Sequence, residues 1–406
     1  MPSIEELDLL ELPVLEPSFA TDPLPGFAAA REWHPWLAKS AVGYLVHEYE
    51  AIKDLYFMDD HLEFATANIV EHMGARGTPW GDFTEGLMIV KQGEEHDRVR
   101  SNVAPAFTPR NVNKYRGLMR ETVSKLLDEW APRGAFDFAE FAANFPVRVM
   151  CGVIGASPDV VPPLRHALET QGMSFSMDPS ILPTANAAIT QLLDFADTFI
   201  SERQRDGNPG APDLLDELLA ANSDGKLSDA EMRNLLVFVF AAGYDTSKNM
   251  LTFTLYEMLQ RPQMWERCAE DLGYCTQVME ETLRYHSVSN VPRTVSREFT
   301  YRDVTFPVGT NLQFILTLSG RDPRAYEDAE RFDPGRKAAN RHLAFGRGMH
   351  ICLGQFLARA QIEEGLHLMA QRLRKPKLAG EVTWRPFVGV WGIRSLPIEF
   401  EPAAVH

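Results

Sequence analysis

The sequence predicts a mainly α-helical fold: one large helical domain around a long central helix, with a small β-rich part. Three observations predict it. Helical periodicity dominates from about Glu94 to Tyr285, broken by the turn sequences PRG, GNPG and SDGK. Within that span Ser228 and Glu231 form an S-x-x-E capping box ahead of the apolar run LLVFVFAAGYDTSKNMLTFTLYEML. Strand-like segments are short and confined to a few places.

Taken in order, the elements are these. Residues 1–24 read as an irregular N-terminal arm. Gly43 to Phe64 reads as a short strand followed by a helix. The central helix, unbroken to Leu259, would be about 48 Å long at 1.5 Å per residue, and a helix that apolar on most faces must cross the interior. Between Pro292 and Ile315 the segments PRTVSREF, YRDVTF and NLQFIL read as strands. An irregular stretch, RDPRAYEDAERFDPGRKAANRHLAFGRGMHIC, leads into a helix from about Leu353 to Leu373, and the last thirty residues read as a small sheet. No linker divides the chain, so residues 1–406 read as a single domain.

At 406 residues, 45% hydrophobic and 24% charged, the chain can bury a core large enough to enclose a sizeable cofactor. Lys and Arg number 40 against 56 Asp and Glu, a formal net charge of -16. Such a surface repels phosphate backbones and anionic lipid, which argues against nucleic-acid and membrane partners. The four cysteines, Cys151, Cys268, Cys275 and Cys352, fit neither a disulfide framework nor a paired-cysteine zinc site. The N-terminal sequence is acidic and broken by prolines, unlike a signal peptide, and no run of about 18 uncharged apolar residues occurs. A reducing cytoplasm is the expected location.

The segment FGRGMHICLG, Phe345 to Gly354, carries the chemistry. Gly346 and Gly348 allow a tight turn and a close approach. Cys352 then stands at the mouth of a helix, where free N–H groups and the helix dipole favour a thiolate, the form that binds metal. A lone thiolate points to a metal held mainly by another ligand, such as a porphyrin. Cys352 as a small buried hydrophobe is the plain alternative. Zinc on His342, His350 and Cys352 would need a fourth ligand, and a dinucleotide loop would need a preceding strand and a third glycine.

Three distant segments agree with the loop. With them, the chain resembles the cytochrome P450 family of the soluble bacterial type. The F-x-x-G-x-x-x-C-x-G signature is met by Phe345, Gly348, Cys352 and Gly354. E-x-x-R is met by Glu281 and Arg284 in MEETLRYH, A-G-x-D-T by Ala242, Gly243, Asp245 and Thr246, and H-x-x-x-R by His96 and Arg100, with AFTPR downstream. Order and spacing match from about Gly43 to the C-terminus. One departure stands out: SGRDP carries Gly320 where relatives usually have Asn.

The resemblance implies a haem-thiolate monooxygenase that binds haem b (iron protoporphyrin IX) and inserts one oxygen atom from O2 into a small, mainly apolar substrate. Cys352 would be the axial ligand, its sulfur favouring O–O cleavage, with Phe345 packed beside it. Gly346 and Gly354 would frame the loop. His96, Arg100, Arg293 and His350 would meet the two propionates, which the arginine fork suits well. Gly243 in mid-helix costs about 1 kcal/mol relative to Ala, and Thr246 can bond back to the Ala242 carbonyl and bend the helix. Asp245 and Thr246 would then relay protons. Glu281 and Arg284 would form a buried ion-pair network completed by Arg336, with Arg331 competing for that place.

The pocket is expected along Trp80–Ile89, Met173–Met177, Val237–Ala241, Ser287–Val291 and Val388–Trp391. Its apolar members are Trp80, Phe83, Met88, Phe238, Val291 and Val390. With no fused redox domain, electrons would come from a separate ferredoxin and reductase to a monomer. Docking is expected on a basic island of Arg110, Lys114, Arg116, Arg120 and Arg347. Alternatives within the resemblance are peroxygenase, ring-coupling or dehydration chemistry, and a non-catalytic haem-binding protein.

Overall fold

The structure is a computed structural model that describes residues 1–337 and 339–403. Its centre is the helix Asp229–Leu259, whose N-terminus is closed by the capping box read from the sequence: Ser228 Oγ accepts from Glu231 N and the Glu231 carboxylate accepts from Ser228 N. Buried residues occur on every face of this helix beyond its first turns. Phe138–Ile154 packs along it, and Val161–Met173, Leu182–Asp206 and Leu272–Tyr285 surround it.

Among the described residues the β part consists of four small sheets. The largest has five strands in the order Leu37–Ser40, Gly43–Val46, Asn311–Phe314, Val291–Val295, Leu62–Phe64. Its neighbours are antiparallel except for Gly43–Val46 beside Asn311–Phe314, where Tyr44 faces Leu312 in parallel register. In a second sheet the C-terminal strand Pro397–Pro402 lies between Leu373–Leu378 and Ala135–Asp137, antiparallel to both. No helix among the described residues is long and apolar enough to cross a membrane.

The N-terminal arm is more structured than its prolines suggest. Pro17–Thr21 and Leu24–Trp33 are helical, Ser3 bridges Thr305 and Glu11 bridges Lys39. Ile4, Leu9, Leu12 and Val14 are buried, so apolar contact with the sheets orders a segment whose local propensity is weak.

Gly320 has a specific reason. A Cβ there would lie 1.9 Å from the Arg284 carbonyl oxygen, so any side chain would have to displace the backbone of the E-x-x-R helix.

Candidate functional site

The loop Phe345–Gly354 runs directly into the helix Gln355–Arg372, and Cys352 lies three residues ahead of that helix. Gly346 and Gly348 have φ values of +66° and +69°, the left-handed region glycine favours. A Cβ at Gly348 would come within 2.7 Å of the Tyr56 carbonyl oxygen, so this glycine makes room for neighbouring backbone. Cys352 N donates to Phe345 O at 2.8 Å, and the Arg359 guanidinium stacks 4.4 Å from the centre of the Phe345 ring.

Cys352 borders a cavity of about 290 Å³. The central helix supplies the opposite wall through Phe238, Ala242, Gly243 and Thr246. Burial pushes the Cys352 thiol above its ordinary pKa, while the Gly354 backbone N–H and the charges of Arg100 and Arg359 pull it back. Desolvation therefore outweighs the favourable field at the helix mouth when no metal cation is present.

One edge of the same cavity is cationic. Arg293, 4% exposed, and Arg100 line it with His96 and His350. The two imidazoles meet edge to face at 4.6 Å. His350 is pushed down to about 3 by burial and by the positive charges of Arg293, His96 and Arg100. Among the described residues neither ring nitrogen of His350 has a hydrogen-bond partner, nor has His96 Nε2, although all three atoms are buried. Arg100 donates to Ile351 O at 2.7 Å and Arg293 to Pro292 O at 3.1 Å, leaving most of each fork free. Buried donors without acceptors are costly unless a ligand supplies them. A thiol at one wall and unmet cationic donors at one edge fit a flat iron-bearing group with two carboxylates.

Thr246 Oγ1 donates to Ala242 O at 2.9 Å, the back-bond read from the sequence. The helix nevertheless runs unbroken from Asp229 to Leu259. Gly243 answers to packing: a Cβ there would lie 2.4 Å from Met150 Sδ of the adjacent helix. Asp245 is held by a partner the sequence did not suggest, since Arg385 donates to its Oδ1 at 2.6 Å. Asp245 Oδ2 is buried with no partner among the described residues, and Asp245 borders a second, adjoining cavity together with Thr246.

Glu281 and Arg284 form a buried bidentate pair at 2.6 and 2.8 Å. Arg336 Nε lies 3.5 Å from Glu281, whereas the exposed Arg331 side chain turns to Asp333. Arg331 contributes only its carbonyl, which accepts from Arg284 and Arg336.

Four of the six expected pocket residues border the cavities: Met88 the first, Val390 the second, and Phe238 and Val291 both. Trp80 and Phe83 do not. Their helix, Pro79–Glu85, turns them into the core, where Trp80 packs on Phe175 and its N–H end of the backbone donates to Asn186. The basic island is also smaller than expected. Arg116 is bound by Glu363 and by the buried Glu364, and Arg120 by Glu364, so these arginines tie Arg116–Trp130 to Gln355–Arg372.

Gln171, Gln313 and Arg385 were missed. Gln171 lies two positions before the expected stretch Met173–Met177, Gln313 sits inside a strand, and TWRPF around Arg385 carries no motif.

A family search matches residues 165–381 to the model described as Cytochrome P450. The chain is 33% identical over 401 residues to luteothin monooxygenase of Streptomyces thioluteus, covering 98% of this chain and 97% of that protein. It is 30% identical over 301 residues to 20-oxo-5-O-mycaminosyltylactone 23-monooxygenase of Streptomyces fradiae, covering 74% and 68% of the two chains. The fold is shared with epothilone D-bound cytochrome P450epoK: the TM-score is 0.87 at 23% identity, with 97% of this chain and 99% of that one covered.

Proposed function

The chain belongs to the cytochrome P450 family, as a monooxygenase that binds haem b, and from that premise we propose that its substrate is a small, mainly apolar organic molecule and its electrons come from a separate ferredoxin and reductase. The observation that carries this reading is the cavity that joins Cys352 to an apolar wall and to unmet cationic donors.

Cys352 Sγ is the residue that would ligate the iron, and Arg100, Arg293, His96 and His350 would hold the haem carboxylates. Bound in this way, haem supplies reductive activation of dioxygen and transfer of one oxygen atom to substrate. The remaining work falls to the protein. Phe238, Val291 and Met88 exclude water and orient the apolar part of the substrate. Thr246 Oγ1, resting on the Ala242 carbonyl, turns to pass its proton into the cavity, and Asp245 Oδ2, after taking up a proton from water, returns one to it. Phe345 and Arg359 shield the sulfur side of the loop. The donor docks where Arg110, Lys114 and Arg347 stand outside any ion pair among the described residues, its approach strengthened by charge at low salt.

The test combines ligation and product. The reduced protein under carbon monoxide should absorb at the position diagnostic of thiolate ligation, and Cys352→His should lose that band. With ferredoxin, reductase and isotopically heavy dioxygen, one labelled oxygen should enter each product. Label arriving from water, or turnover that needs only peroxide, would overturn the monooxygenase reading.

A further inference from the structure

We infer that the second cavity selects a neutral, oxygen-bearing substrate through the carboxamides of Gln171 and Gln313, an inference that rests on the monooxygenase reading and names its substrate class. This cavity, about 250 Å³, shares Phe238, Ala242, Thr246 and Val291 with the one beside Cys352, so the two are lobes of one space.

Gln171 and Gln313 both border the second lobe and are 5% and 7% exposed. Gln171 Oε1 is buried without a hydrogen-bond partner. The Gln313 carboxamide likewise makes no hydrogen bond among the described residues. Gln313 lies between Leu312 and Phe314, both wholly buried; strand alternation turns it to the face opposite theirs, and it is the residue of this strand that borders the lobe. Its neighbours on the wall are mostly apolar, so leucine would be the stabilising choice at either position. Asn290 in the same wall makes a useful contrast. Its Oδ1 accepts from Thr317 and its Nδ2 donates to Phe387 O, so this amide is already spent on the fold. The two glutamines are not.

Charge narrows the class further. Among the described residues no lysine, arginine or histidine borders this lobe, and the one ionisable group on its wall, Asp245, is ion-paired with Arg385. A carboxylate or phosphate would therefore find no counter-ion, and a cation only a carboxylate already paired. A carboxamide both donates and accepts, so it suits a hydroxyl, a ketone or an ester carbonyl. Two such readers in one lobe call for a molecule with neutral oxygen functions in that lobe and an apolar portion reaching Thr246 and the cysteine loop. Specificity of this kind acts by exclusion too: an analogue lacking the oxygen leaves a buried amide unmet.

The experiment uses the haem-loaded protein, its Gln171→Leu and Gln313→Leu variants, and two matched pairs of probes: androstanedione with androstane, and dodecanediol with dodecane. Spectral titration gives each dissociation constant, and melting is followed without probe. At least one oxygenated probe should bind each leucine variant about tenfold more weakly than it binds the wild type. The hydrocarbons should bind as well or better. The ligand-free melting temperature should hold or rise by about 1–2 °C, because an unmet buried amide has been removed. Unchanged affinity for both oxygenated probes, or a fall in melting temperature with equal losses for every probe, would overturn the inference. If the thiolate band and the isotope incorporation stand while the selectivity does not, only this substrate class falls. If those two fail, it is the monooxygenase reading that falls.

Discussion

Beneath the cysteine loop, charged groups mostly satisfy one another, Arg336 Nε and Tyr326 Oη being exceptions; above it, several are left waiting. Below the loop, Glu281 accepts two bonds from Arg284 and one from Asp333 N, and Arg284 also donates to the carbonyls of Gly320 and Ala329. Glu280 binds His342 and Arg359 nearby. Around the cavities, by contrast, His96 Nε2, both nitrogens of His350, Gln171 Oε1 and Asp245 Oδ2 are buried without partners. Unmet buried polar groups are costly, and a cluster of them around a cavity is explained by a ligand that meets them. The ion-paired region is scaffold and the clustered unmet groups mark the site.

The largest effect should come from breaking the scaffold. Glu281→Ala strands the buried Arg284 charge and should cost about 3–5 kcal/mol, read as a lower denaturant midpoint and poor haem retention. Arg331→Ala, whose side chain only meets Asp333 at the surface, should stay within about 0.5 kcal/mol. Equal losses in the two variants would erase the distinction between them.

Removing Thr246 touches the other region. Thr246→Ala should leave stability and substrate binding close to wild type while the coupled step falls by about 10²–10⁴, electrons being diverted to peroxide or water. Product formed per electron consumed is the measurement. Unchanged coupling would leave Thr246 with only its bond to Ala242 O.

Gly320→Ala sharpens the comparison at the scaffold's tightest point. The added methyl meets the Arg284 carbonyl at 1.9 Å, and forcing that backbone apart should cost about 1–3 kcal/mol. Equilibrium unfolding of the variant checks it.

The smallest effect is confined to acid. Hydrogen bonds from His342 and Arg359 outweigh burial and hold the Glu280 carboxyl at about 2, below its ordinary 4.5. A depressed carboxyl stabilises the fold above about 4.5, and that contribution is lost as pH falls toward about 2. Melting temperatures of wild type and Glu280→Gln should differ at neutral pH and converge only as the pH falls to about 2. A constant gap would remove Glu280 from the acid response.

The features legible in sequence were those fixed by local chemistry or by spacing along one segment. The capping box at Ser228 and Glu231 and the apolar run behind it defined the central helix to its last residue, Leu259, because both act within a few turns. The loop from Phe345 to Gly354, with the order of the other three motifs, identified the family before any coordinates did. Tertiary structure decided what distance along the chain conceals. Asp245 meets Arg385 across 140 positions, Gly320 clears the Arg284 carbonyl, and Gly243 clears Met150. Trp80 and Phe83 look like pocket residues by composition, yet the direction of one short helix sends them into the core. Arg116 and Arg120 look like free surface charge until Gln355–Arg372 brings Glu363 and Glu364 against them. Periodicity states that a side chain will be buried or exposed; only packing of distant segments states against what, because burial is local to a helix face and a contact belongs to two.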